Sequence, residues 1–149
     1  MCLVLREKGS PVGVVFFAAA GFEKKMKILL GNDLVDITRV ERAMRNPRFC
    51  RRILGDTEYV QLEKRGFPPQ SVAASFCAKE AFSKAIGTGV RGFSLCEVEL
   101  LRRENGAPYL HFTGRAAELV RALEANFSVS VTHTAQYASV VVAALYERA

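Results

Sequence analysis

The sequence predicts an α+β fold, an antiparallel sheet packed with one long central helix and shorter helices. Three observations point there. Residues 71–86 carry the longest unbroken helical pattern, bounded by Pro68-Pro69 before it and Gly87 after it. Residues 98–102 and 109–113 are strand-like runs on either side of Asn105-Gly106, the pattern of a hairpin. Residues 138–145 are rich in valine, as a buried strand should be. Helices and antiparallel strands are mixed rather than alternating as in parallel units. The 149 residues suffice for one domain with a real core, and half of them are hydrophobic, which excludes a disordered chain.

Taken in order, residues 28–35 form a short strand. Residues 38–45 form a helix stopped by Asn46-Pro47, because proline disfavours helical geometry in the residue before it. Residues 48–54 resume at a new angle, and Asp56-Thr57 ahead of Glu58 is an N-cap pattern opening another short helix. Gly66-Phe67-Pro68-Pro69 breaks the chain. The long helix is expected to start with Ser71 as its N-cap and to end at Gly87. The hairpin turn exceeds two residues, so it is not the minimal type. Residues 114–125 place Ala, Leu and Val among charges at helical spacing, and 128–132 and 138–145 close the fold as strands.

The first 25 residues stand apart. An apolar run at 12–20 follows Arg6 and Lys8 and ends in alanines, a weak likeness to a secretion signal and too short to span a bilayer. A second methionine, Met26, precedes a strand pattern, so the domain is expected to comprise residues 26–149, with 1–25 an extension that is either disordered or a non-native start. The cysteines at 2, 50, 77 and 96 form no CxxC or Cys-His pattern, which argues against zinc and fits a reducing cytoplasm. Net charge is +6, pointing to acidic partners. Nucleic acid is disfavoured, since no aromatics are interleaved with the basic residues, and no membrane partner is expected.

Four features carry chemistry. Glu80 and Lys84, spaced i, i+4, share a helix face and run into Gly87-Thr88-Gly89. Alone this is an ordinary surface pair worth about 0.2–0.5 kcal/mol. With a loop that exposes backbone amides, it is also what phosphate chemistry requires. Asp33, after Gly31-Asn32, is an acid expected at a strand end, either a cap or a ligand. Magnesium binds through one or two carboxylates, phosphates and waters, so Asp33 and Glu80 would serve if the fold joins them. Arg39, Arg42 and Arg45 drift by only ~60° per step and share one face, suited to an acidic partner or simply to solvent. His133, between threonines at a strand end, fits a phosphate contact or a structural hydrogen bond; His111 alternates with Leu110 and Phe112 as a solvent-facing strand residue.

Together these pieces resemble the holo-acyl-carrier-protein synthase family of 4′-phosphopantetheinyl transferases, over residues 28–147. The anchors are Gly31-Asn32-Asp33-Leu34-Val35-Asp36 with Arg39, Phe76-Cys77-Ala78-Lys79-Glu80-Ala81-Phe82-Ser83-Lys84 with Gly87-Thr88-Gly89, Asn105-Gly106-Ala107-Pro108-Tyr109, and Val129-Ser130-Val131-Thr132-His133-Thr134 with Tyr137-Ala138. The resemblance implies transfer of 4′-phosphopantetheine from coenzyme A to a serine of apo-acyl carrier protein, in fatty acid biosynthesis, releasing adenosine 3′,5′-bisphosphate. It implies that Asp33 and Glu80 hold Mg²⁺, that Lys84 contacts phosphate, and that Glu80 or a metal-bound water helps deprotonate the serine. It implies that Gly87, Thr88, Gly89, His133 and Thr134 line the coenzyme A site with Lys84. Arg39, Arg42 and Arg45 would dock the carrier protein. A homotrimer with interfacial active sites is also implied.

The chain departs from the family pattern at Leu29, where a glycine is common, at Asn32, and at Ser75, where a basic residue that helps hold coenzyme A phosphates is usual. Lys64 or Arg65 is expected to compensate. The alternative is a non-catalytic module that binds coenzyme A or the carrier protein, whose sign would be loss of Asp33, Glu80 or Lys84; all are present.

Overall fold

The computed structural model describes residues 25–148. The predicted extension, apart from Lys25, lies outside the described residues. Strand β1 (Lys25–Asp36) leads into helices α1 (Ile37–Met44), α2 (Arg48–Ile53), α3 (Asp56–Glu63) and the long α4 (Pro69–Ile86). A 3-10 turn (Leu95–Glu97) precedes the hairpin strands β2 (Val98–Arg102) and β3 (Pro108–Phe112), then come α5 (Gly114–Leu123), β4 (Asn126–His133) and β5 (Tyr137–Arg148). The main sheet has the order β1-β5-β4, antiparallel throughout, and β2-β3 form a separate antiparallel pair.

Alternation along β5 sets the sheet's two faces. Ala138, Val140, Val142 and Ala144 are buried under α4, while Tyr137, Val141 and Leu145 point away. On the helix side the partners are small: Ala73, Ala74, Ala78, Ala81 and Ala85 are all essentially buried. That lets β1 approach the helix backbone. A Cβ at Gly31 would collide with the Ala81 carbonyl oxygen and come within 2.5 Å of the Ala85 nitrogen, so only glycine fits. Phe82, fully buried, joins the layers. Its ring lies 5.0 Å from Phe112 of the hairpin and 5.2 Å from Phe127 of β4. Burying such a side chain contributes about 1.5–3 kcal/mol.

Three local expectations are corrected. Ser71 is not the N-cap of α4. The helix begins at Pro69, with Pro68 capping, because the N–H that proline lacks at the first helical position has no intrahelical partner anyway. Asp33 lies inside β1, which continues to Asp36, and Asp36 instead caps α1 by accepting from the Arg39 N–H at 3.2 Å. Helix α3 starts at Asp56, with Gly55 as its cap and the Glu58 carboxylate accepting from the Gly55 N–H at 3.3 Å. Gly87 ends α4 in left-handed geometry (φ 74°), as expected.

Candidate active site

Gly31 places β1 against α4, and two residues further along β1 is Asp33. Its carboxylate meets the Lys84 ammonium at 2.8 Å, with the lysine side chain 53% exposed and the aspartate 16%. The Ser139 hydroxyl donates to the Asp33 backbone carbonyl at 2.9 Å and ties β1 to β5 there. Glu80, half-buried, precedes Lys84 by one turn of α4. Sequence spacing offered Glu80 as the partner of Lys84. The fold gives Lys84 to Asp33 instead, and among the described residues Glu80 forms no ion pair.

Cys77, one turn before Glu80, fills the helix side of this seam as the small hydrophobe its mid-helix place in the sequence suggests. It is buried and donates to the Ala138 carbonyl at 3.4 Å. Burial pushes its thiol up to about 12; the adjacent Asp33 carboxylate adds to the rise and Lys84 opposes it. The thiol is therefore a neutral floor beneath Asp33. Mid-helix placement in an apolar pattern was its only sequence signal.

After α4 the chain turns through Gly87, Thr88 and Gly89, all exposed, with Gly89 also at positive φ (61°). The next exposed element reached from the same helix is a cavity of about 560 Å³, lined by Ser75 together with Lys64, Arg65, Arg102, Arg103 and Gly106. Ser75 is five residues before Glu80, about 7.5 Å along the helix axis. The hairpin turn thus folds back onto α4 at the position where the usual basic residue is missing. Lys64 and Arg65 line this cavity with Ser75, and Arg102 and Arg103 join them only through the tertiary fold.

His133 and Thr134 sit elsewhere. Register pairs Val35 with Ala138 and Ala138 with His133, so within one chain His133 is two strands and two residues from Asp33, on the order of 12 Å. Both are exposed, and with Ile37, Gln70 and Ala135 they line a cavity of about 450 Å³. Arg39, Arg42 and Arg45 are exposed along α1 and its cap, with Val40 turned into the core. Beside them lies a cavity of about 430 Å³ with an apolar floor of Ala43, Phe49, Ile53 and Leu95 and a rim that includes Arg42 and Arg52. His111 is not merely solvent-facing: its Nδ1 lies 2.7 Å from the buried Glu99 carboxylate.

A profile of the 4′-phosphopantetheinyl transferase superfamily matches residues 29–141, spanning the strand, the long helix, the hairpin and the last strands just described. The chain belongs to this superfamily. It is 38% identical over 116 residues to the holo-[acyl-carrier-protein] synthase of Fusobacterium nucleatum, covering 76% of this chain and 95% of that one. The crystal structure of holo-[acyl-carrier-protein] synthase from Neisseria meningitidis superposes with a TM-score of 0.72 at 28% identity, covering 77% of this chain and 95% of the other. The Helicobacter pylori synthase, solved in complex with coenzyme A, superposes at 0.65 and 27% identity, covering 76% and 96%. The α+β phosphopantetheinyl transferase fold expected from sequence is the fold observed.

Proposed function

We propose that this phosphopantetheinyl transferase moves 4′-phosphopantetheine from coenzyme A to a serine hydroxyl of apo-acyl carrier protein, serving fatty acid synthesis. The observation that carries the reading is the Asp33–Lys84 pair on the α4–β1 seam, with Glu80 one turn away and a cationic cavity further along the same helix. In the transfer, the serine oxygen bonds to the phosphorus nearer the pantetheine. The bond from that phosphorus to the bridging oxygen breaks, and adenosine 3′,5′-bisphosphate leaves. Glu80 is the carboxylate assigned to the serine proton, directly or through a water. Lys84, being exposed, can leave Asp33 and hold its charge against the transferred phosphate. Positioning and charge neutralisation account for most of the rate in such reactions.

Magnesium fits these residues. Among the described residues no three His, Cys, Asp or Glu side chains are grouped to hold a metal on their own. Two carboxylates from β1 and α4 suit an ion that takes the rest of its oxygen shell from phosphates and water. When bound, the ion would neutralise charge on the pyrophosphate oxygens. Asp33 and Glu80 are the residues assigned to hold it.

Lys64, Arg65, Arg102 and Arg103 supply the nucleotide-phosphate charge that Ser75 cannot. Gly87, Thr88 and Gly89 line the coenzyme A site with Lys84. His133 and Thr134 complete the coenzyme A site from a neighbouring copy, in a homotrimer with interfacial sites. Their distance from Asp33 within one chain supports that arrangement, as does the outer sheet face, where Leu30, Leu34, Val141 and Leu145 are 40–61% exposed. Arg39, Arg42 and Arg45, with the apolar cavity beside them, form the docking face for the acidic carrier. The described cysteines 50, 77 and 96 are free, which supports a cytoplasmic setting, and no helix of the described residues is long and apolar enough to cross a membrane.

The test is to mix the protein with apo-acyl carrier protein, coenzyme A and Mg²⁺ and weigh the carrier. A gain of one phosphopantetheine is expected. Tight carrier binding without that gain, under any divalent metal, would overturn the transferase reading in favour of a binding module.

A further inference from the structure

Outside the site, α4 carries a second lysine in a very different setting. Lys79, next to Glu80 in sequence, is fully buried. Its ammonium lies 2.6 Å from the Glu58 carboxylate of α3 and donates to the Val98 carbonyl at the start of β2. Glu58, also buried, accepts from the Leu100 N–H of β2 at 2.9 Å and from the Gly55 N–H at 3.3 Å. The buried Glu99 of β2 accepts in turn from the Glu58 N–H at 3.0 Å. One ammonium therefore joins α4 to α3 and to β2.

The helix needs such a tie. Eight of its eleven buried residues are alanine, serine or cysteine, and apart from Phe82 and Val72 these small side chains offer little to interlock against rotation or sliding. On one side β1 holds it through the close approach at Gly31. On the other, Lys79 reaches across. With side-chain tips about 5–6 Å from the helix axis, a rotation of ~10° moves them by about 1 Å. A misplacement of that size can cost about 100-fold in rate. Stability alone does not call for the pair, because well-packed apolar residues of similar volume often serve a fold as well or better than a buried ion pair.

We propose that Lys79 is a positioning residue for the transfer: its buried bonds to Glu58 and Val98 set the rotation of α4 that aims Glu80 and Lys84 at Asp33. This rests on the transferase reading above. Lys79 touches neither substrate nor the reacting atoms.

Lys79→Met alone strands the Glu58 carboxylate and can unfold the protein, so the test is the double variant Lys79→Met with Glu58→Gln, which removes both charges and keeps an acceptor for the Leu100 N–H. It is expected to melt within a few degrees of wild type and to keep its KM for coenzyme A within about twofold, with kcat down about 10- to 100-fold. Its crystal structure should show Lys84 Nζ out of hydrogen-bond reach of Asp33. A folded double variant with wild-type kcat would overturn the proposal, as would a lowered kcat with the Asp33–Lys84 contact unchanged. A double variant that does not fold would make Lys79 purely structural and overturn it too. If the wild-type protein transfers nothing, the functional reading itself has failed; if it transfers and the double variant transfers as fast, only the positioning role has.

Discussion

Two ion pairs flank the same helix and do opposite things. Lys84 meets Asp33 at 2.8 Å with its side chain 53% exposed; Lys79, five residues earlier, meets Glu58 at 2.6 Å with both side chains essentially sealed from water. In the exposed pair, water screens the attraction, and the link is worth about 0–1 kcal/mol. Such a pair can exchange partners, which is what a phosphate-handling lysine must do. In the sealed pair, neither charge can leave without stranding the other, so it holds elements in place. Solvent access, not distance, separates the lysine assigned to phosphate from the lysine assigned to bracing.

The comparison can be tested from its strongest consequence downward. Glu80→Ala should reduce phosphopantetheine transfer by about 10³-fold or more while leaving the melting temperature nearly unchanged, read by carrier mass and circular dichroism. Substantial residual transfer would remove Glu80 from the chemistry. The two lysines should then part on stability, although removing either one lowers kcat. Lys79→Ala is expected to cost about 3–5 kcal/mol of stability by orphaning Glu58. Lys84→Ala is expected to cost about 1 kcal/mol or less yet lower kcat on the order of 10²-fold. Urea unfolding alongside steady-state kinetics reads both; equal stability losses would erase the distinction.

Gly31→Ala probes the seam that brings Asp33 to Lys84. The added methyl has no space against the Ala81 carbonyl, so a destabilisation of about 1–3 kcal/mol is expected, with loss of activity beyond what unfolding explains. Arg39→Ala lies far from both pairs in character. It should weaken carrier binding about fivefold at low salt, and less at high salt, with coenzyme A affinity unchanged. The smallest effect concerns Cys77. Because its folded thiol is held near 12, native protein should leave it unalkylated at pH 8, as peptide mass mapping would show. The sign follows. The folded state keeps the proton where an unfolded thiol, near 9, releases it, so this group's contribution is whole below about pH 9 and fades as the pH climbs toward 12.

Much of this was legible beforehand because it is local. The helix end at Gly87, the valine-rich strand β5 and the Arg39-Arg42-Arg45 face depend on neighbours a few residues away, whereas the exposed second face of β5 emerged only from the fold. Ser71 misled because two rules compete at a helix start, and proline at the first position won over a hydroxyl two residues later. Lys84 misled because a helix face shows its own i, i+4 partners but not the strand laid across it.

The sequence by itself determined the element types, the motif order that marks the superfamily, and which acids and amines were available. Only the tertiary structure decided their pairing. Asp33 finds Lys84 across 51 residues, Glu58 finds Lys79 across 21, and Arg102 and Arg103 reach the cavity at Ser75 through the hairpin. The physical reason is burial. Two lysines on one helix have the same chemistry in sequence, and the packing of strands and helices around them leaves one in water and seals the other from it.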